Sequence, residues 1–185
     1  MKFKSIENQE YIGNYAFQSS NITSISGPFY YIGNYAFASC SKLSIINIKV
    51  NDVINNSAFE ECRNVSSFYI DPQSTIRVLS NDAFKYFGYN RTNPQNNIFE
   101  FDFQNSNFTR LNNGAFRYNS YFNIYLPDTV TNIGSYNFWN SSYIHLKLNA
   151  TTPTVLESTF SATNSKIFVP INSLDAYKAA TNWSA

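Results

Sequence analysis

The chain has 185 residues with a formal net charge of +1, and 43% of it is hydrophobic. That length supports one domain burying about two thirds of its unfolded surface, and that composition argues against disorder. The near-zero charge argues against a phosphate-reading nucleic-acid binder, and no run of 18 apolar residues suggests a transmembrane helix.

Charged residues make up only 14%, against a usual ~25%. Asparagine fills the gap with 27 positions, and Tyr plus Phe add 31. Such a surface hydrogen-bonds well and repels little, which suits neutral polar partners such as glycans or other proteins.

At the N-terminus MKFKSIENQEY lacks the apolar core of a secretory signal. Either the protein stays in the cytoplasm or the sequence is a piece of a longer secreted chain. Met1 as the only methionine favours an initiator added to a fragment. Residues 1–10 read as a partial repeat whose beginning is cut off, because an uncapped array end exposes core and a sheet edge.

From residue 11 one template recurs: an aliphatic residue, then four positions later a small one, then phenylalanine. It reads IGNYAF to Phe17, IGNYAF to Phe37, INNSAF to Phe59, LSNDAF to Phe84, LNNGAF to Phe116, IGSYNF to Phe138 and VLESTF to Phe160. The Phe-to-Phe steps are 20, 22, 25, 32, 22 and 22 residues. Self-similarity at that period marks a solenoid in which each repeat is one turn stacked on the last. The alanine column is lost in the last two repeats, to Asn137 and Thr159.

Alternating apolar pairs follow each template: Ile46/Ile48, Phe68/Ile70, Phe101/Phe103, Ile124/Leu126, Leu146/Leu148 and Ile167/Val169. Period-2 alternation predicts one short half-buried strand per turn, stacked into a parallel sheet along the array. The Phe rings are expected to stack into a continuous core. Gly13, Gly33 and Gly134, with Asn55, Ser80 and Asn112 in the same column, are expected to carry the unusual backbone angles of the corner.

The segment IGNYAFASCSKLSIINI carries the pattern I-G-x-x-A-F-x-x-C-x-x-L-x-x-I-x-I, which resembles the BspA-like leucine-rich repeat. PDTVTNIGSYNF resembles that family's linker, and IFVPINSLDAYKAATNW its closing strand and capping helix. The resemblance runs from about Tyr11 to Trp183. It implies a leucine-rich-repeat solenoid, β-rich with short helical corners, a parallel sheet along the stack and a C-terminal helical cap. It also implies a surface or secreted protein that binds host or microbial ligands, so an extracellular or cell-surface location.

The expected organisation is a partial repeat over 1–10, about seven repeats over 11–169 and a cap over 170–185. The step from Phe84 to Phe116 is ten residues too long, and its polar stretch GYNRTNPQNN at Gly88–Asn97 reads as a protruding loop. In the cap, Pro170 closes the last strand, Ser173 is the expected helix N-cap, and Leu174 and Tyr177 are expected to cover the core.

No catalytic constellation emerges. A Cys62–His145 dyad would join the third turn to the sixth, roughly 14 Å apart at ~4.8 Å per strand. Cys40 and Cys62 share a column, so they read as buried thiols filling the core, with a disulfide as the alternative. Two Cys and a distant His are too few for a metal site. Glu100 and Asp102 lie side by side on one strand rather than across a cleft, and Glu60–Glu61 sits in a turn. No cofactor is implied. Eight N-x-S/T sequons begin at Asn21, Asn55, Asn64, Asn90, Asn107, Asn140, Asn149 and Asn182; with about five expected by chance from this composition, they are not evidence of glycosylation.

The candidate ligand surface is the outward row between the buried pairs: Asn47, Tyr69, Asp102, Tyr125, Lys147 and Phe168. Asn123 and His145 flank it, with Ser67, Glu100 and Lys166. Exposed aromatic rings supply contact area at low entropic cost, although sheets favour Tyr and Phe for cross-strand packing alone. The Gly88–Asn97 loop is the second candidate. The sequence therefore reads as a non-enzymatic recognition module for a protein or glycan ligand, with no nucleic-acid partner and no membrane insertion. A structural spacer without its own ligand is the alternative, and a hydrolase is the weakest reading.

Overall fold

The computed structural model describes residues 5–7, 10–91 and 93–183. Most of the partial repeat expected over 1–10 lies outside the described residues, as do Thr92 of the loop and residues 184–185 of the cap. In chain order the strands are β1 (Ser5–Glu7), β2 (Tyr11–Ile12), β3 (Ser24–Ile32), β4 (Ile45–Ile54), β5 (Ser67–Ile70), β6 (Val78–Leu79) and β7 (Phe99–Asp102). They continue as β8 (Arg110–Leu111), β9 (Ser120–Tyr125), β10 (Asn132–Ile133), β11 (Ser142–Lys147), β12 (Val155–Leu156) and β13 (Lys166–Phe168), followed by helix α1 (Leu174–Ala179).

Every strand pairing is parallel, as stacked turns demand, but the single strand expected per turn is joined by a second, short one. The result is a β-rich solenoid of about seven turns with one long and one short strand side. The long side runs β1-β3-β4-β5 and then β7-β9-β11-β13. On the short side β2, β3, β4 and β6 are bonded in one run and β8-β10-β12 in another. Both ladders break at the same level. Strands β5 and β7 lie side by side there without ladder hydrogen bonds, where the long Phe84-to-Phe116 step inserts its extra residues.

The third side is a wall of turns containing the recurring Phe. Its rings form the expected column: centroids of Phe17, Phe37, Phe59, Phe84 and Phe116 follow at 5.5, 5.3, 5.4 and 5.5 Å, with planes within 9°. Phe138 follows at 6.5 Å and Phe160 tilts by 45° at the end. Near-parallel rings at this spacing must be offset, the favoured geometry for stacked quadrupoles. The five rings from Phe37 to Phe138 are buried, each contributing roughly 2–3 kcal/mol of transfer free energy.

Each corner makes the i→i+3 bonds of a short helix but never runs on as one. In the first turn Ala16, Gln18 and Ser20 donate to Gly13, Tyr15 and Phe17, while Tyr15, Phe17 and Ser19 donate across to Asn34, Ala36 and Ala38. Alternating inward and outward N–H groups require left-handed residues two before and two after the Phe. Those positions are Tyr15, Tyr35, Ser57, Asp82, Gly114 and Tyr136, then Ser19, Ser39, Glu61, Tyr86, Tyr118 and Asn140. The glycine column expected to bear these angles does not bear them. Gly33 is needed for close approach instead, since a Cβ there would lie 2.6 Å from the backbone nitrogen of Asn14. Asn55 and Asn112, in that same column, donate side-chain amides to Ile32 and Leu79 carbonyls in the preceding turn.

The column three after Phe has a chemical logic as well. Cys40 Sγ donates to the Phe17 carbonyl at 2.9 Å and Cys62 Sγ to that of Phe37 at 3.1 Å. Asn119 Nδ2 donates to the Phe84 carbonyl and Ser141 Oγ to that of Phe116. Four of these positions thus carry a small buried donor, of which the thiol is the most apolar, while Phe87 fills the column after Phe84 without one. Both cysteines are free, and burial pushes both thiols upward, Cys62 furthest.

The Gly88–Asn97 segment is tied to the stack at both ends, although most of its described residues are exposed. Gly88 and Asn90 N–H groups bond the Cys62 and Arg63 carbonyls, and Asn97 Nδ2 bonds the Ser66 carbonyl. Arg91 closes it down, donating to the carbonyls of Gly88, Asn97 and Ser120 with its guanidinium 3.8 Å from the Phe99 ring centre. Burial lowers Arg91 to about 10. At the far end Ser173 occupies the N-cap position of α1 without a side-chain cap bond. Leu174 stays 37% exposed rather than covering core, whereas Tyr177 is buried and bonds the Ala150 carbonyl. Trp183 takes the covering role expected of Leu174, packing on Tyr177 and donating Nε1 to the Thr154 carbonyl.

Candidate functional site

The outward row lines up as the alternation requires, because a buried residue on each side turns the one between it to solvent. Asn47 is in register with Tyr69, and Asp102, Tyr125, Lys147 and Phe168 form one file. Glu100, Asn123, His145 and Lys166 form the file beside it, and Ser67 pairs with Ile45. The break between β5 and β7 separates the Asn47–Tyr69 part from the rest.

Two shallow depressions mark this face. One, of about 370 Å³, lies over the break between Tyr69, Ile98, Glu100, Asp102 and Tyr125. The other, of about 250 Å³, is lined by Asn123, Tyr125, His145, Lys147 and Phe168. Five of the eight sequence-derived candidates thus meet in one place. His145 braces the Phe168 ring edge-on at 6.0 Å and 83°, and the Lys147 ammonium lies 5.8 Å from the Tyr125 ring centre. Loss of hydration raises the Tyr125 hydroxyl pKa, and Glu100 and Asp102 add to the rise.

The two carboxylates of the face are engaged. Glu100 accepts from Asn123 Nδ2 at 2.6 Å, and Asp102 accepts from the Gln104 backbone and side chain. Asn123 Oδ1 is shut off from solvent without a donor. Lys147 and Lys166 meet no carboxylate among the described residues. Arg63, Arg77, Lys85, Arg110 and Arg117 all pair with Asp or Glu. Lys49 on β4 likewise meets no carboxylate among the described residues, so the unpaired cations of this face lie there and at its C-terminal end.

Catalytic groupings do not assemble. Cys62 points into the core beneath the Phe37 carbonyl, while His145 lies on the strand face against Phe168. Glu60 and Glu61 pair with Lys85 and Arg63. Among the described residues no group of three His, Cys, Asp or Glu side chains could hold a metal ion.

Much of the asparagine serves the stack itself. Asn14, Asn34, Asn56, Asn81 and Asn113 form a ladder in which each Oδ1 accepts from the next turn, ending on the Ser135 N–H. The glycan-suited surface expected from composition is to that extent internal bonding.

A second aromatic surface went unread in the sequence. On the turn wall Tyr86 and Tyr118 stack at 4.3 Å, Trp139 meets Tyr118 at 5.2 Å, and Arg63 lies 4.1 Å over Tyr86. Tyr15 and Tyr35 stack at 5.3 Å within 4°. The recurring tyrosine of YIGNYAF was the available signal, but it was read only as part of the corner.

A protein-family model described as a BspA type leucine rich repeat region matches residues 1–90 and 94–179, in six copies. No curated protein and no solved structure matches the chain.

Proposed function

The chain belongs to the BspA-type leucine-rich-repeat family, and from that premise we propose that it is a non-enzymatic recognition module of a cell-surface or secreted adhesin-like protein. Its ligand is a protein or glycan of a host or microbial surface, held on the long strand face along Asn47, Tyr69, Asp102, Tyr125, Lys147 and Phe168. Among the described residues no helix is long and apolar enough to cross a membrane.

The observation that supports this reading is the convergence of Asn123, Tyr125, His145, Lys147 and Phe168 around one open depression. Phe168 there is 49% exposed, and Tyr69 at the neighbouring depression 53%. Large exposed rings beside polar groups are costly in solvent and useful in an interface. The experiment is a binding screen against glycans and host-surface proteins, run beside a folded triple variant Tyr69→Ala, Tyr125→Ala and Phe168→Ala. A hit lost in the variant supports the strand face. A hit retained moves the site, first to the Gly88–Asn97 segment, and the absence of any hit leaves the array as a spacer.

A further inference from the structure

We propose that the depression between Asn123, Tyr125, His145, Lys147 and Phe168 takes one acidic sugar ring, a pyranose carrying a carboxylate. This rests on the reading of the long face as the binding face and names the ligand class of its C-terminal part.

Size and shape come first. A space of about 250 Å³ is below the usual range for drug-sized ligands and suits a single pyranose. Its floor supplies a flat apolar element, Phe168, half open to solvent and braced from one side by the His145 ring. The C–H face of a sugar packs on such a ring, while the Tyr125 hydroxyl and the Lys147 ammonium offer partners for ring hydroxyls.

Charge selects among sugars. No carboxylate lines the depression, and Glu100 beyond it is held by Asn123. Lys147 lines it, and Lys166 is in register with His145 on the adjoining strand. Neither ammonium has a carboxylate partner among the described residues. An anionic substituent pointing toward β13 would meet both.

The same geometry disfavours an acidic peptide. Peptides bound on sheets draw affinity from a free strand edge. Strands β9 and β11 under the depression are each paired on both sides, so they present side chains only, and the free edge of β13 lies on its side away from β11. The turn wall is a poorer sugar site, because Tyr86 and Tyr118 cover each other's ring faces.

The test titrates the whole 185-residue chain, labelled for amide NMR, with methyl β-glucuronide and separately with methyl β-glucoside. The glucuronide should shift amides within 123–125, 145–147 and 166–168, with a Kd at least fivefold below that of the glucoside. A Lys147→Gln/Lys166→Gln variant should erase that ratio, whereas Phe168→Ala should weaken both sugars. Equal affinity for the two sugars at these amides overturns the acidic assignment while leaving the long-face reading intact. Glucuronide shifts confined to other residues, or none at all, overturn the proposal. The screen with the triple variant then decides separately whether the face binds anything else.

Discussion

The turn wall and the long strand face are built from the same turns yet answer to different constraints. On the wall nearly every position has an internal partner. Phe stacks on Phe, the residue three later donates to a Phe carbonyl one turn back, and asparagine three before Phe bonds its counterpart. On the outward rows of the face the residue type changes at each step, from Asn47 and Tyr69 to Asp102, Tyr125, Lys147 and Phe168. Repetition of letters thus marks where the backbone makes the same demand each turn. Variation marks where the fold leaves the side chain free, and there a ligand has room to be specified.

Substitutions on the two sides should therefore differ most where the wall is most demanding. Phe84→Ala removes a ring stacked between Phe59 and Phe116, and should cost about 3–5 kcal/mol by chemical denaturation. A cost near that of a surface change would mean the column is not the structural spine.

Next comes Asn119→Ala. Its buried amide donates to the Phe84 and Phe116 carbonyls and accepts from the Phe87 N–H. Leaving those groups short should cost about 2–3 kcal/mol. Asn81→Ala removes one bond of the exposed ladder, the Asn113 N–H to Asn81 Oδ1, and keeps its own backbone donation to Asn56, so it should cost only about 0.5–1 kcal/mol.

On the strand face, each of Tyr69→Ala, Tyr125→Ala and Phe168→Ala should stay within about 0.5 kcal/mol. A larger loss at any of them would show that ring to be structural and narrow the binding surface accordingly. The smallest effect belongs to the thiols. With Cys40 and Cys62 buried and their pKa values raised by that burial, neither should react with a thiolate-selective disulfide reagent at pH 7 until the protein unfolds. Rapid reaction of the native protein would show the column open to solvent.

Legibility followed the same division. The repeat, the Phe column and the strand alternation were readable because each restates a local pattern at near-constant spacing. The file from Asp102 to Phe168 followed directly from that register. Corner angles were misassigned by two residues, because glycine usually marks left-handed backbone and here Tyr15, Tyr35 and Tyr136 adopt it instead. Each adopts a conformation that bulky side chains seldom take, so no propensity rule points to them. Leu174 was expected inside because helical spacing places it there, but Trp183 reaches the core end first.

By itself the sequence determined a stacked array with a long-side strand in each turn, a phenylalanine core and a face of free side chains, but not the second, short strand side. Those features arise from identical demands repeated every 20 to 32 residues. Tertiary structure alone decided that both ladders break at the long step, that Arg91 pins the inserted segment and that Lys147 and Lys166 stay without carboxylates. It also decided which tyrosine rings cover each other. Each of these is a relation between side chains one or more turns apart. Its outcome depends on rotamers and distances that no pattern along a single turn encodes.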